Sequence, residues 1–369
     1  MKIALVHDYL SQDGGAERVL RVLHTMWPDA PIFTLFATKG AVSGFENVDI
    51  RESYLAHLPF GRIKYQWYLP LMPQAFELFD LSEFDVVISS TSAFAKGIIT
   101  KPGTLHICYC HTPTRYLWTD TKSYIADLKY PKIVKLFLPR LMHRLRMIDK
   151  LAANRVDVFV ANSKTVQQRI EKYYRRKSEI IFPPVDVDKA SISPVIEDYF
   201  ISGGRLVPYK RFDLIIEVFN RTKQKLIIFG DGPEEQALKK RAKSNIKFVG
   251  RISEEEKMKL LSRAKAFIHP QLEDLGITPI ESMSVGRPVI AYGEGGALET
   301  ILPGKTGVFF HKQSWHSLIE VIHAFKPDAW NPEEIRAHAR NFSTHIFEQK
   351  IRELVAREYE QLKKANLNS

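Results

Sequence analysis

The chain has 369 residues, of which 45% are hydrophobic and 26% charged, and carries a formal net charge of +11. Such a length exceeds one ordinary core and suits two domains of about 100 to 200 residues, and the composition excludes a long disordered or collagen-like region. The positive balance calls for an anionic partner (nucleic acid, nucleotide or acidic membrane), and charge alone does not choose among them; no helix-turn-helix, zinc-finger or RNP signature speaks for nucleic acid.

The N-terminal run Met1 to Val6 reaches His7 and Asp8 at once, without the length or small-residue cleavage site of a signal peptide, so it reads as a first buried strand. No stretch approaches the roughly 20 apolar residues that span a bilayer. We expect a cytoplasmic protein, with peripheral contact at the inner face of the plasma membrane left open. An amphipathic stretch from about Gly15 to Trp27 and a run from Ile32 to Phe36 complete a βαβ pattern. Buried runs at Asp85 to Ile88, Leu105 to Cys110 and Val156 to Val160 extend it into a parallel sheet. Cys108 and Cys110 have no second Cys or His pair at ligand spacing, so they are expected to be reduced and metal-free.

From Tyr130 to Arg155, Val134, Phe137, Leu138, Leu141, Leu145 and Ile148 recur at helical spacing among Lys132, Lys135, Arg140, Arg144, Arg146 and Lys150, a basic amphipathic pattern that Pro139 should break or kink. With Tyr65 to Leu71 it could seat the first domain on an anionic leaflet; a helix packed on its sheet with a solvated basic face accounts for it equally well.

The stretch from Phe182 to Pro194 continues neither period and reads as an interdomain linker. The alternation restarts at Tyr199 to Ser202, Lys225 to Phe229, Ile246 to Val249, Ala266 to His269, Val289 to Ala291 and Thr306 to Phe309. We therefore expect an α/β protein of two Rossmann-like, doubly wound parallel-sheet domains facing across a cleft, residues 1–185 and 186–344. The helical tail from His345, within 345–369, is expected to pack back on the first.

Candidate chemistry falls at strand ends, where ligands bind in such folds. In Glu273-Asp274-Leu275-Gly276-Ile277-Thr278-Pro279-Ile280-Glu281, Gly276 permits close backbone approach, Thr278 suits an N-cap and Pro279 the first helical position, so phosphate-attracting amides are expected there. Glu273 and Glu281 could accept bonds from sugar hydroxyls; taken alone, dipole complementation by Glu281 and a solvated Glu273 explain the pair as well. After the Gly203-Gly204 pair, Arg205 and Lys210 could clamp a diphosphate. The turns at Gly230 to Glu234 and at Val249-Gly250-Arg251 could meet base and ribose. In the first domain Gly14-Gly15-Ala16-Glu17 opens a helix after the first strand, and His111 ends a strand before Thr112-Pro113-Thr114-Arg115-Tyr116-Leu117-Trp118.

Taken in order, the Glu273 to Glu281 spacing, the Gly-Arg-x-x-x-x-Lys run ending at Lys210, the Gly-Asp-Gly-Pro-Glu turn, the Val-Gly-Arg turn and the Gly-Gly-x-Glu loop resemble retaining glycosyltransferase family 4, of GT-B architecture, over nearly the whole chain. The resemblance implies that Arg205 and Lys210 bind the donor diphosphate, that Glu281 holds the ribose and Glu273 the transferred sugar, that amides around Gly276, Ile277 and Thr278 meet sugar and phosphates, and that His111 approaches the donor sugar. Gly14, Gly15, Gly230, Val249, Gly250 and Arg251 join the donor-binding set. Residues 111 to 118 look most like a mannosyltransferase-like branch building bacterial surface polysaccharides, which implies GDP-mannose as donor and a glycan or polyprenyl-linked acceptor. Asp274 stands where the family usually has a small residue, and Arg211 where it often has Gly. No cofactor and no metal are expected; Asp186-Val187-Asp188 lies in the linker. A nucleotide-sugar epimerase of the same architecture and a basic nucleic-acid-binding protein are the competing readings.

Overall fold

The computed structural model describes residues 1–122, 125, 130–188 and 191–367, apart from the side chains at 132 and 134. Lys189, Ala190, Asn368, Ser369 and the side chains of Lys132 and Val134, all named by range or residue above, lie outside the described set. The chain divides into two units, Met1–Pro184 with Phe347–Ser369, and Val185–Ile346.

The first unit carries seven parallel strands: β1 Ile3–His7, β2 Ile32–Thr34, β3 Ile50–Glu52, β4 Val86–Thr91, β5 Leu105–Cys110, β6 Val158–Ala161 and β7 Ser178–Ile180, in spatial order β3-β2-β1-β4-β5-β6-β7. β3 and β7 are edge strands with partly exposed residues, and so lack the buried apolar run by which the inner strands announce themselves. Helix α1 (Gly15–Met26) buries Val19, Leu20 and Leu23 on one face of the sheet. The closing helix of the chain, Thr344–Leu367, adds Phe347, Ile351, Leu354 and Val355 to that same cluster, at one-turn spacings that make a single stripe.

Helix α2 (Lys132–Asn154) runs through Pro139, so of the break or kink expected there the break does not occur. Pro139 is exposed, and the helix is fixed further along, where Met142 and Leu145 enter the core on the sheet's other face. One turn on, the fully buried Asp149 carboxylate accepts from Lys96 Nζ (2.5 Å), Thr114 Oγ1 (3.1 Å), Trp118 Nε1 (2.7 Å) and Tyr174 OH (2.8 Å). A buried carboxylate with this many donors is fully compensated. Cys108 and Cys110 are free thiols in the adjoining cluster.

The second unit holds six parallel strands: β8 Phe200–Gly203, β9 Leu226–Phe229, β10 Ile246–Gly250, β11 Phe267–His269, β12 Val289–Tyr292 and β13 Gly307–Phe310, ordered β10-β9-β8-β11-β12-β13. Strand order reverses between β8 and β11, the position where open α/β sheets bind ligands beyond their strand C-termini. Helices α3 (Phe212–Thr222), α4 (Glu254–Arg263) and α5 (Ile277–Ser284) follow β8, β10 and β11. Among the described residues no helix is long and apolar enough to cross a membrane.

Replacing Asp149 with Ala leaves Lys96 buried without its counter-charge, and should cost about 3 kcal/mol or more of first-unit stability. Chemical denaturation followed by tryptophan fluorescence checks this, and an unchanged midpoint would contradict it.

Candidate functional site

The loops after β8 and β11 meet at the strand-order reversal of the second unit. Lys210 closes a short 3-10 turn, Pro208–Lys210, and Arg211 then takes a left-handed backbone (φ +56°) that starts α3. Glu273 lies four residues beyond the last residue of β11. Lys210 Nζ and Glu273 Oε1 form an ion pair in which both side chains are largely buried. Burial, the largest single influence, lowers the Lys210 pKa, but the charge of Glu273, that of Tyr209 and the hydrogen bond to Glu273 together outweigh it, and the ammonium is held above its ordinary value. Burial likewise pushes the Glu273 carboxyl up, and Lys210, with lesser help from His269 and a bond from Gln271, brings it net below the usual carboxylate range.

Around this pair the backbone is stitched from neighbouring turns. Gly204 N–H donates to Phe229 O (3.1 Å), Gly230 N–H to Gly250 O (2.7 Å) and Leu206 N–H to Asp231 O (2.7 Å). The Gly203-Gly204, Gly230 to Glu234 and Val249-Gly250-Arg251 segments are thus one connected rim. Arg205 is exposed on that rim, and Lys210 Nζ lies 3.6 Å from where a side-chain carbon on Gly204 would stand.

The start of α5 differs from the expectation. Gly276, at φ +89°, is the N-cap, with no side chain capping the helix. Thr278 is therefore not the cap but the second helical residue, and Pro279 the third, where its missing N–H is harmless. The left-handed glycine turns the chain into the helix two residues sooner than a Thr cap would. Glu281 consequently falls in the second turn, buried at 3% exposure, and meets Lys257 Nζ of α4 at 2.9 Å rather than complementing the helix dipole. A side chain at Gly276 would crowd the His269 ring at 3.2 Å and Glu273 Oε2 at 3.4 Å. Glu273 O accepts from Gly296 N–H at 2.9 Å, and a side chain on Gly296 would stand 2.2 Å from the Leu275 α-carbon. Lys257, His269, Gln271 and Gly296 were missed by sequence reasoning. Gly295-Gly296 after β12 is the one signal that could have been found, as another glycine pair at a strand end.

The first unit has its own cluster at the strand C-termini. His111 Nε2 is 2.8 Å from Ser90 Oγ on β4, and its carbonyl accepts from Asn162. Burial of the ring, with a smaller contribution from His7, lowers its pKa to about 3. His7 Nε2 faces the buried Glu17 at 3.7 Å on α1, whose N-cap is Gly14; Gly14 and Gly15 are exposed. The Asp8 carboxylate accepts from Thr91 Oγ1 and from the amides of Ser92, Ala93, Phe94 and Ala95, so a side chain of the chain itself fills the amide nest after β4. Thr114 and Trp118 of the 111 to 118 stretch serve the Asp149 network.

Among the described residues no group of three His, Cys, Asp or Glu side chains could hold a metal ion. Residues 13–189 match the family model described as Glycosyltransferase Family 4, and residues 187–342 match Glycosyl transferases group 1. The chain belongs to glycosyltransferase family 4. This family 4 chain is 24% identical over 247 residues to O-antigen chain mannosyltransferase C of Escherichia coli, a match spanning 62% of this chain and 63%, just under two thirds, of that one. It is 22% identical to alpha-1,3/1,6-mannosyltransferase ALG2 of Kluyveromyces lactis, over 82% of this chain and 71% of that one. Its fold is that of the GT-B structure of HepE from Anabaena in complex with UDP, with TM-score 0.73 and 18% identity, covering 97% of this chain and 100% of that one.

Three histidines, two of them buried and one partly so, give the native state a defined acid limit. His106 and His111 are lowered to about 3 and His269 to about 4, in each case first by burial, from 6.5. The unfolded chain therefore binds more protons than the native one below about 6.5, so stability is full above that pH and is lost as pH falls toward 4 and then 3. The lowered Glu273 carboxyl subtracts stability only below about 4.5. Urea midpoints should be level from about pH 7 to 8 and fall on acidification below about 6.5; a midpoint that rises as the pH is lowered from about 7 to 5 would contradict neutral histidines at these positions.

Proposed function

We propose that the protein is a retaining, metal-independent hexosyltransferase that moves mannose from GDP-mannose to a glycan or polyprenyl-linked saccharide in surface polysaccharide synthesis. The observation that carries the reading is the Lys210–Glu273 ion pair at the strand-order reversal, on the rim that also bears Arg205. The mannosyltransferase names of the relatives support the sugar.

In this reading Arg205 and Lys210 bind the donor diphosphate, Glu273 accepts bonds from hydroxyls of the transferred sugar, and Glu281, fixed by Lys257, accepts from the ribose. The amides at Gly276, Ile277 and Thr278 face sugar and phosphate at an uncapped helix start. Gly230, Val249, Gly250 and Arg251 supply the wall for the nucleoside. Gly14, Gly15 and His111 are the first unit's proposed donor-side residues. Retention follows from front-face substitution: the bond from the anomeric carbon to the phosphate oxygen breaks as the acceptor oxygen attacks from the same face. The acceptor proton passes to the leaving phosphate, whose charge Arg205 and Lys210 absorb.

An assay of nucleotide sugars with product analysis tests this. GDP-mannose should be consumed with the anomeric configuration kept and with no loss in EDTA, and Arg205→Ala should lower kcat/KM by about a hundredfold, the scale of one lost transition-state contact. An inverted product, a requirement for a divalent ion, or full turnover in Arg205→Ala would contradict the reading.

The first unit is proposed to rest on an anionic leaflet. Leu141 and Leu145 of α2 pack inward, but Ile133, Leu136 and Phe137 of its first two turns are exposed, as are Phe60, Ile63 and Trp67, with Lys64 Nζ 4.5 Å from the Trp67 ring centre. Apolar rings and stems among cations suit a lipid interface, and both segments pack inward on the same cluster. Vesicle flotation should show binding with about 30% anionic lipid, lost in Phe137→Asp/Trp67→Ala; equal recovery with neutral vesicles would contradict it.

A further inference from the structure

The mechanism leaves one buried polar group of the site without a task. His269, the last residue of β11, is 1% exposed, and neither Nδ1 nor Nε2 has a hydrogen-bond partner within the described residues. Buried imidazole nitrogens are ordinarily bonded, so an orphaned pair calls for an explanation. The ring is no distant core residue. Its Nε2 lies 3.9 Å from Glu273 Oε2, the carboxylate oxygen opposite the one that Lys210 engages. Gly276 leaves the ring its space: any side chain there would press on the imidazole at 3.2 Å.

The ion pair creates a demand that this histidine can meet. Resting on the reading of Lys210 as a diphosphate ligand and Glu273 as a sugar ligand, donor binding draws the ammonium toward phosphate. Glu273 then keeps the Gln271 bond but loses its counter-charge while largely buried, a situation that destabilises a carboxylate strongly. A neutral imidazole carrying its proton on Nε2 can donate to Oε2 after a closure of less than about 1 Å, which brings 3.9 Å within hydrogen-bond range. It adds no positive charge to compete with Lys210 for the phosphates.

We infer that His269 is a positioning residue that takes over as hydrogen-bond donor to Glu273 when Lys210 turns to the donor diphosphate, holding the carboxylate aimed at the transferred sugar. No bond forms or breaks at the imidazole. Nε2–H donates, Oε2 accepts, and Nδ1 stays unprotonated.

The test compares His269→Phe, which keeps an aromatic ring but has no donor, with His269→Gln, which restores an N–H, against Glu273→Gln and the His269→Phe/Glu273→Gln double variant. His269→Phe should lower kcat/KM for the nucleotide sugar by about tenfold or more, the scale of one buried bond to a charged group. His269→Gln should recover most of that loss. The double variant should be no worse than Glu273→Gln alone, because the histidine acts only through the carboxylate. Losses that add, a Gln variant as poor as Phe, or a Phe variant within twofold of the parent would overturn the role of His269 while a large Glu273→Gln loss left the site reading standing. If Glu273→Gln and Lys210→Ala both turn over normally, the site reading fails and this inference falls with it. Should His269→Phe not fold, imidazole ¹⁵N NMR of the unaltered protein decides: saturating GDP should shift the His269 Nε2–H resonance to that of a hydrogen-bonded proton, and an unshifted resonance would overturn the proposal.

Discussion

The ion pair between Lys210 and Glu273 constrains everything around it. It joins the loop after β8 to the loop after β11, the two strands between which the order of the second sheet reverses. Neither side chain can be this deeply placed alone, since an unpaired buried charge costs several kcal/mol. The pair therefore sets where both loops run, and the glycines follow from it. Gly276 clears space beside the carboxylate, and Gly296 lets the β12 turn close on the Glu273 carbonyl. A ligand with two phosphates and a hydroxylated ring presents the complement of this pair, an anion for the ammonium and donors for the carboxylate.

The two units solve the same topological problem with opposite chemistry. In the second, the reversal point is ringed by backbone turns bonded to one another, with cations and carboxylates on the rim. In the first, Asp8 fills the amide nest after β4, and Asp149 locks α2 to Lys96, Thr114, Trp118 and Tyr174. In the proposed reading nucleotide recognition is accordingly assigned to the second unit, while the first carries His111, held by Ser90 and kept neutral.

Much of this was legible before the structure. Inner strands were readable because a parallel sheet buries both faces, and the stripe Phe347, Ile351, Leu354, Val355 was readable because its spacing is helical. The edge strands β3 and β7 were not, since half-exposed residues leave no apolar run. Around the candidate site, Arg205, Lys210, Glu273 and Glu281 were singled out by residue type in the segments that follow strands, whereas Lys257 and His269 beside them were not. Lys257 lies 24 positions before Glu281, and only the packing of α4 beside α5 brings them to 2.9 Å. His269 reads as one more residue of a buried run. Pro139 does not end α2, because a proline rule judges the local backbone, whereas the helix is held by Asp149 ten residues later. The cap moved from Thr278 to Gly276 because a left-handed glycine can turn the chain before a hydroxyl is needed.

Lys210 is proposed to be shared between Glu273 and a diphosphate, and calorimetric titration with GDP, which lacks the transferred sugar, tests that sharing directly. Removing the ammonium in Lys210→Met should weaken GDP binding by about tenfold or more, whereas Glu273→Gln, which releases the ammonium from its carboxylate, should leave GDP affinity equal to or tighter than the parent's. Loss of GDP affinity in Glu273→Gln to the same extent as in Lys210→Met would contradict the account.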